Sequence, residues 1–182
     1  DFGTGALGDM GCHTANMPFM ALRLEYPTSV VAEAGDVNPE TCPSWATVNW
    51  EFPARGDLPP VKLTWYEGKK VSADGSVQMN LPSPALFKGQ EVPRSGSLLV
   101  GDKGTLFAPG DADGANFTFK LLPETDFVGF EGPAPTMPRN GGGDLGQKRE
   151  WIEAIKGGTP GLSNFAYAGL LTETILLGNL AI

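Results

Sequence analysis

The chain carries one histidine, His13, and an acid, Asp9, stands four residues before it. On a helix, residues at i and i+4 share a face, with Cβ atoms about 5–6 Å apart. A carboxylate and an imidazole that titrates near neutral pH would then open together into one cleft. Such a pair suits proton transfer: a neutral imidazole accepts a hydroxyl proton, and the acid orients the ring or stabilises its charged form. Plainer roles stand beside this one. Asp9 is also a residue type that caps helices, and His13 is also an ordinary half-buried polar group. Gly3, Gly5, Ala6 and Gly8 lead in, small enough to let a backbone or ligand approach closely. Met17, Phe19, Met20, Leu22 and Leu24 follow at mixed helical spacing, which gives the helix a buried side.

The rest of the chain must position that helix. After Pro27 and Thr28, Ser29–Val37 is rich in β-branched residues and reads as a strand. Trp45–Phe52 alternates, with Trp45, Thr47, Asn49 and Glu51 on one side and Ala46, Val48, Trp50 and Phe52 on the other. Val61–Glu67 alternates again, and Gly68, Lys69 and Lys70 are expected to turn it. Val71–Ser95 has no clear period and reads as a long irregular excursion. Ser97–Val100 and Thr105–Ala108 flank a glycine-bearing turn and predict a hairpin. Asp111–Ala115 reads as a turn and Asn116–Leu122 as a further strand. A short helix is expected over Gln147–Lys156, ended by Gly157 and Gly158. A last helix runs from Ala166, capped by Ser163 or Asn164, with Leu170, Leu171, Thr174, Leu177 and Ile182 inward. Strands segregated from helices predict an α+β fold: an open, largely antiparallel β-sheet with helices packed on one face. Trp45, Trp50, Trp65, Tyr66, Phe117 and Phe119 are expected mainly in the core. An apolar outer sheet face would call for a second copy to cover it, a homo-oligomer through the sheet face.

Composition narrows the functions. The 182 residues suffice for one domain with a real core. Thirteen Lys and Arg against 21 Asp and Glu give a charge of −8, which argues against nucleic acid or an anionic membrane as partner. Phe165–Ile182 is too short and too polar for a membrane span. Cys12 and Cys42 have neither metal-ligand spacing nor a disulfide framework. One histidine is a poor start for a metal site, so a metal-dependent hydrolase is the weakest reading. No strand–glycine loop–helix unit of the dinucleotide type occurs; Gly141–Gly143 precede a helix but follow a loop. The chain opens on DFGTG and stops within an apolar helix pattern, as a domain excised from a longer protein would.

GALGDMGCHTANMPFMAL, residues 5–22, resembles the motif that opens the C-terminal domain of the Gfo/Idh/MocA oxidoreductases. The far end, REWIEAIKGGTPGLSNFAYAGLLTETILLGNLAI from Arg149 to Ile182, is similar to the W-x-x-A-I-x-x-G, S-N-F-x-Y, L-T-E and L-L-G-N pattern of one branch. The two matches bracket a variable middle. The resemblance implies that residues 1–182 are a single substrate-binding and oligomerisation domain. The parent would be an NAD- or NADP-dependent oxidoreductase acting on a sugar, cyclitol or related polyol. The nucleotide would sit mainly on an N-terminal domain not present here, so no cofactor is expected on this fragment, nor activity from it alone. The resemblance puts Asp9 and His13 at the family's catalytic positions beside a lysine from the other domain. Where many relatives have an acid three residues after the histidine, this chain has Asn16, which can bond a sugar hydroxyl but cannot act as a base. A non-catalytic carbohydrate-binding or scaffold domain, and part of a glycoside-cleaving relative, are the alternatives.

Overall fold

The computed structural model describes residues 3–110, 119–137 and 140–182. Its elements run α1 (Gly5–Ala21), β1 (Ser29–Gly35), β2 (Trp45–Phe52), β3 (Val61–Val71), β4 (Val77–Met79), β5 (Gly96–Val100), β6 (Thr105–Pro109), β7 (Lys120–Leu122), α2 (Gly143–Ile155) and α3 (Phe165–Ala181). The architecture is α+β, with open antiparallel sheets. The strands divide into two of them: β1-β2-β3-β4 and β5-β6-β7.

The alternation of β2 decides how the larger sheet is covered. Ala46, Val48, Trp50 and Phe52 are all buried, and Leu7, Ala15, Phe19, Leu171 and Ile175 from α1 and α3 pack against them. β1 and β3 add Val30, Ala32, Leu63 and Trp65 to the same side. Trp50 meets the demand of its indole by donating to the Thr174 carbonyl at 2.9 Å, which ties β2 to α3. Glycines let these layers close. A Cβ on Gly11 would stand 2.9 Å from Ile175, and one on Gly178 would stand 2.6 Å from the Trp50 ring. Asn164 caps α3 by accepting from the Tyr167 main-chain N–H.

The smaller sheet has its own cluster of Phe87, Phe107 and Leu122. It is joined to α1 by a consequence of Pro18. Proline has no N–H, so the carbonyl of Thr14, one turn earlier, loses its helical donor. The Ser97 hydroxyl on β5 donates to that carbonyl at 2.6 Å.

Several expectations change here. Gly68–Lys70 do not turn the chain: β3 continues to Val71 through Gly68 at φ +81°, where the Ser44 carbonyl comes too close for any side chain. The irregular excursion contains the short strand β4, which pairs with the end of β3. α2 begins at Gly143, one turn before Gln147. Phe119 is exposed rather than buried, and Trp45 lies on the outer sheet face with the Lys70 ammonium 3.9 Å from its ring centre. The expected turn at residues 111–115, and residues 116–118 of the expected strand with Phe117, lie outside the described residues. No helix among the described residues is long and apolar enough to cross a membrane.

Candidate functional site

α1 has two sides. Leu7, Gly11, Ala15, Pro18 and Phe19 form its buried stripe. With about 3.6 residues per turn, Asp9 and His13 fall on the opposite side. Both are exposed, one turn apart, and among the described residues neither makes a hydrogen bond or ion pair with any side chain. Asp9 is in the second turn, too far along to be the cap; Thr4 holds the capping position without a side-chain bond. Asn16 continues the outward stripe. Its side-chain oxygen accepts from the Tyr167 hydroxyl at 2.6 Å, and its main-chain oxygen lies 3.1 Å from the same hydroxyl. Its amide N–H groups make no hydrogen bond among the described residues. Burial, then the neighbouring Cys12, pushes the Tyr167 hydroxyl up to about 12, so it is neutral and a donor under ordinary conditions. The three residues named from the sequence thus share one stripe, but they face solvent and line no enclosed hollow.

The hollow lies on another side of the helix. A groove of about 1040 Å³ has Met10, Thr14, Ala15 and Pro18 of α1 along it. Its walls are residues 59–68, which include most of β3, and residues 93–106, which include β5. Gly5 and Gly8, ahead of Asp9, serve packing rather than ligand approach, whereas a Cβ on Gly3 would meet nothing. A Cβ on Gly5 would meet the Cys42 sulfur at 2.8 Å, and one on Gly8 would run into Thr4.

The carboxylate that the sequence did not single out is Glu67. It follows Leu63 and Trp65 on the helix-facing side of β3, and that placement, a charge at the next inward position, was its signal. Trp65 donates to it at 2.7 Å, and the Leu7 main-chain N–H at the start of α1 also reaches it. Burial raises its pKa, and these two donors pull in the opposite direction.

The helix starts bear on a dinucleotide, whose phosphates favour such places. Glu67 fills the start of α1, and Asn164 that of α3. Gly141–Gly143 lead into α2 with positive φ, but a Cβ on Gly146 would collide with the Gly141 carbonyl, so this turn is folded on itself. Among the described residues, no group of three or more His, Cys, Asp and Glu is placed to hold a metal ion. No family model and no curated protein matches the chain.

Proposed function

We propose that this chain is the substrate-binding and dimerisation domain of an NAD- or NADP-dependent oxidoreductase acting on a sugar, cyclitol or related polyol, with the nucleotide held by a separate unit. The observation that carries the reading is the outward stripe of Asp9, His13 and Asn16: an acid, an imidazole and an amide on successive turns, free of partners that would consume the first two. Oxidising an alcohol requires removing its hydroxyl proton as hydride leaves carbon. His13 takes that proton, Asp9 one turn away favours the charged ring that results, and the Asn16 amide donates to a neighbouring hydroxyl. A solvent-facing stripe needs a second body to exclude water. The apolar ridge of α2, with Leu145, Trp151, Ile152 and Ile155 all exposed, is further surface for such a body to cover. The outer sheet face, with Val31 exposed on β1 and Trp45 and Tyr66 half-buried on β2 and β3, supports pairing with a second copy.

Calorimetric titration of the 182-residue chain with NAD and NADP tests the division of labour. No binding heat is expected, and saturable binding of either nucleotide would refute it. In the complete oxidoreductase, His13→Ala is expected to lower turnover by about 10²–10⁴-fold, as for loss of a proton acceptor. As an exposed residue His13 should change stability by less than about 0.5 kcal/mol. An unchanged turnover number would remove His13 from the chemistry.

A further inference from the structure

Tyr167 on α3 touches the outward stripe of α1, and it is fixed along its whole length. In the first turn of α3 its main-chain N–H donates to the Asn164 side chain at 3.3 Å. Its ring packs on the larger core, edge-on to Phe19 with ring centres 6.1 Å apart. Its hydroxyl then meets Asn16, with the side-chain oxygen at 2.6 Å and the main-chain oxygen at 3.1 Å. A phenol has one proton to give, and the side-chain oxygen is the nearer acceptor. The main-chain oxygen of Asn16 lies within α1, where the N–H four residues on, at Met20, is its regular helical donor. With its pKa raised to about 12, chiefly by burial, Tyr167 keeps that proton and goes on donating at ordinary pH. A side-chain amide has an accepting end and a donating end of nearly the same shape, and left alone it turns to offer either. Here the accepting end is taken. The N–H groups of exposed Asn16 make no hydrogen bond among the described residues.

We propose that Tyr167 is a positioning residue that makes Asn16 a donor only, so that the site takes a polyol with an acceptor oxygen on the carbon next to the one oxidised and rejects an amine there. The inference rests on the oxidoreductase reading of Asp9 and His13. His13 and Asn16 stand at i and i+3, neighbours on the helix surface, so the ligand groups they hold are close together. A hydroxyl or carbonyl oxygen beside the reacting hydroxyl accepts from the Asn16 amide. A protonated amine in its place brings donors against a donor, and both sides give up hydrogen bonds with water for none in return. An asparagine free to turn would offer its oxygen to the amine and accept both ligands. The discrimination therefore depends on Tyr167, which touches no ligand itself.

The test uses the complete oxidoreductase with D-glucose, D-galactose and myo-inositol as probes. Each is compared with the counterpart that carries an amine on the carbon next to the one oxidised, assayed below the pKa of that amine. The parent enzyme should prefer the hydroxyl compound by about a hundredfold in kcat/KM. Tyr167→Phe should raise KM more than it lowers kcat and narrow that preference by about tenfold, because the amide is then free to turn. Asn16→Ala should narrow it as far, and adding Tyr167→Phe to Asn16→Ala should change nothing more, since Tyr167 acts through Asn16. Asn16→Asp, which keeps an oxygen for Tyr167 and turns the other outward, should shift the preference towards the amine. A parent indifferent to the amine overturns the proposal. So does a Tyr167→Phe enzyme that keeps the parent's preference, or an effect of Tyr167→Phe that persists undiminished beside Asn16→Ala; either would leave Tyr167 a packing residue. These failures leave the oxidoreductase reading standing. No turnover of any probe with either nucleotide, or unaltered turnover in His13→Ala, removes that reading and the proposal with it.

Discussion

The larger sheet and its helices share a core cluster of ten buried side chains, from Leu7 through Trp50 to Ile175, whereas the cluster of the smaller sheet has three, Phe87, Phe107 and Leu122. The first group closes a sandwich of sheet and helix in which α1 and α3, far apart in sequence, meet the same strand. The second is assembled from a hairpin and nearby loops, and a satellite of that size cannot offset much chain entropy by itself. Stability is therefore concentrated on the side of β1, β2 and β3. The smaller sheet keeps its place by docking, and the groove between the two is the compliant part of the molecule.

The difference can be broken at its strong end. Trp50→Ala removes a fully buried indole together with its hydrogen bond to the Thr174 carbonyl. A loss of about 3–5 kcal/mol is expected, with both sheets melting together. Chemical denaturation would show it as a lowered midpoint, and a loss under about 1 kcal/mol would mean that the larger sheet is not the stabilising unit. Phe87→Ala should cost less, about 2 kcal/mol, because a small cluster relaxes around the space. Hydrogen exchange should rise in β5, β6 and β7 while β2 stays protected. Equal exchange in both sheets would show one cooperative unit rather than two of unequal strength. Ser97→Ala acts on the join. The Thr14 carbonyl, already deprived by Pro18, loses its remaining donor, a cost of about 1–3 kcal/mol if buried and dry. Faster exchange confined to β5 and its neighbours is the expected signature.

How far the sequence could be read follows the same division. β2 alternates without interruption, so its bounds and its buried side were legible residue by residue, and the last helix was announced by Asn164. The two-sheet arrangement was not. It depends on β3 outrunning its partner past Gly68 and on a gap beside β5, and neither has a local signature: a glycine followed by two lysines reads as a turn until Ser44 is brought against it. Asp9 and His13 could be picked out by type and spacing, Asn16 only through what the family resemblance implies, and their common stripe followed from the helix. That they face away from the groove did not, because it depends on which side of α1 meets α3. Pro18 was the overlooked signal, since a proline late in a helix leaves a carbonyl for some distant donor, here Ser97.

The smallest effect probes the one charge held where the two regions meet. Glu67 is half-buried, reached by Trp65 from its own strand and by the Leu7 N–H from the start of α1, and burial is the largest influence on it, raising its pKa from the ordinary 4.5. A carboxyl whose pKa is higher folded than unfolded binds more protons in the folded state, so its contribution to stability is fully present below the unfolded value and declines as pH rises through the folded one. Glu67→Gln removes the charge while keeping an oxygen for both donors. The variant should gain stability relative to the parent chain as pH rises from about 4 to about 7, the range in which a raised carboxyl gives up its proton. Denaturation midpoints of both chains across that range measure the difference directly. If instead the variant loses ground with rising pH, the two donors outweigh burial, and Glu67 would be a stabilising charged cap for α1 rather than a costly charge kept beside the groove.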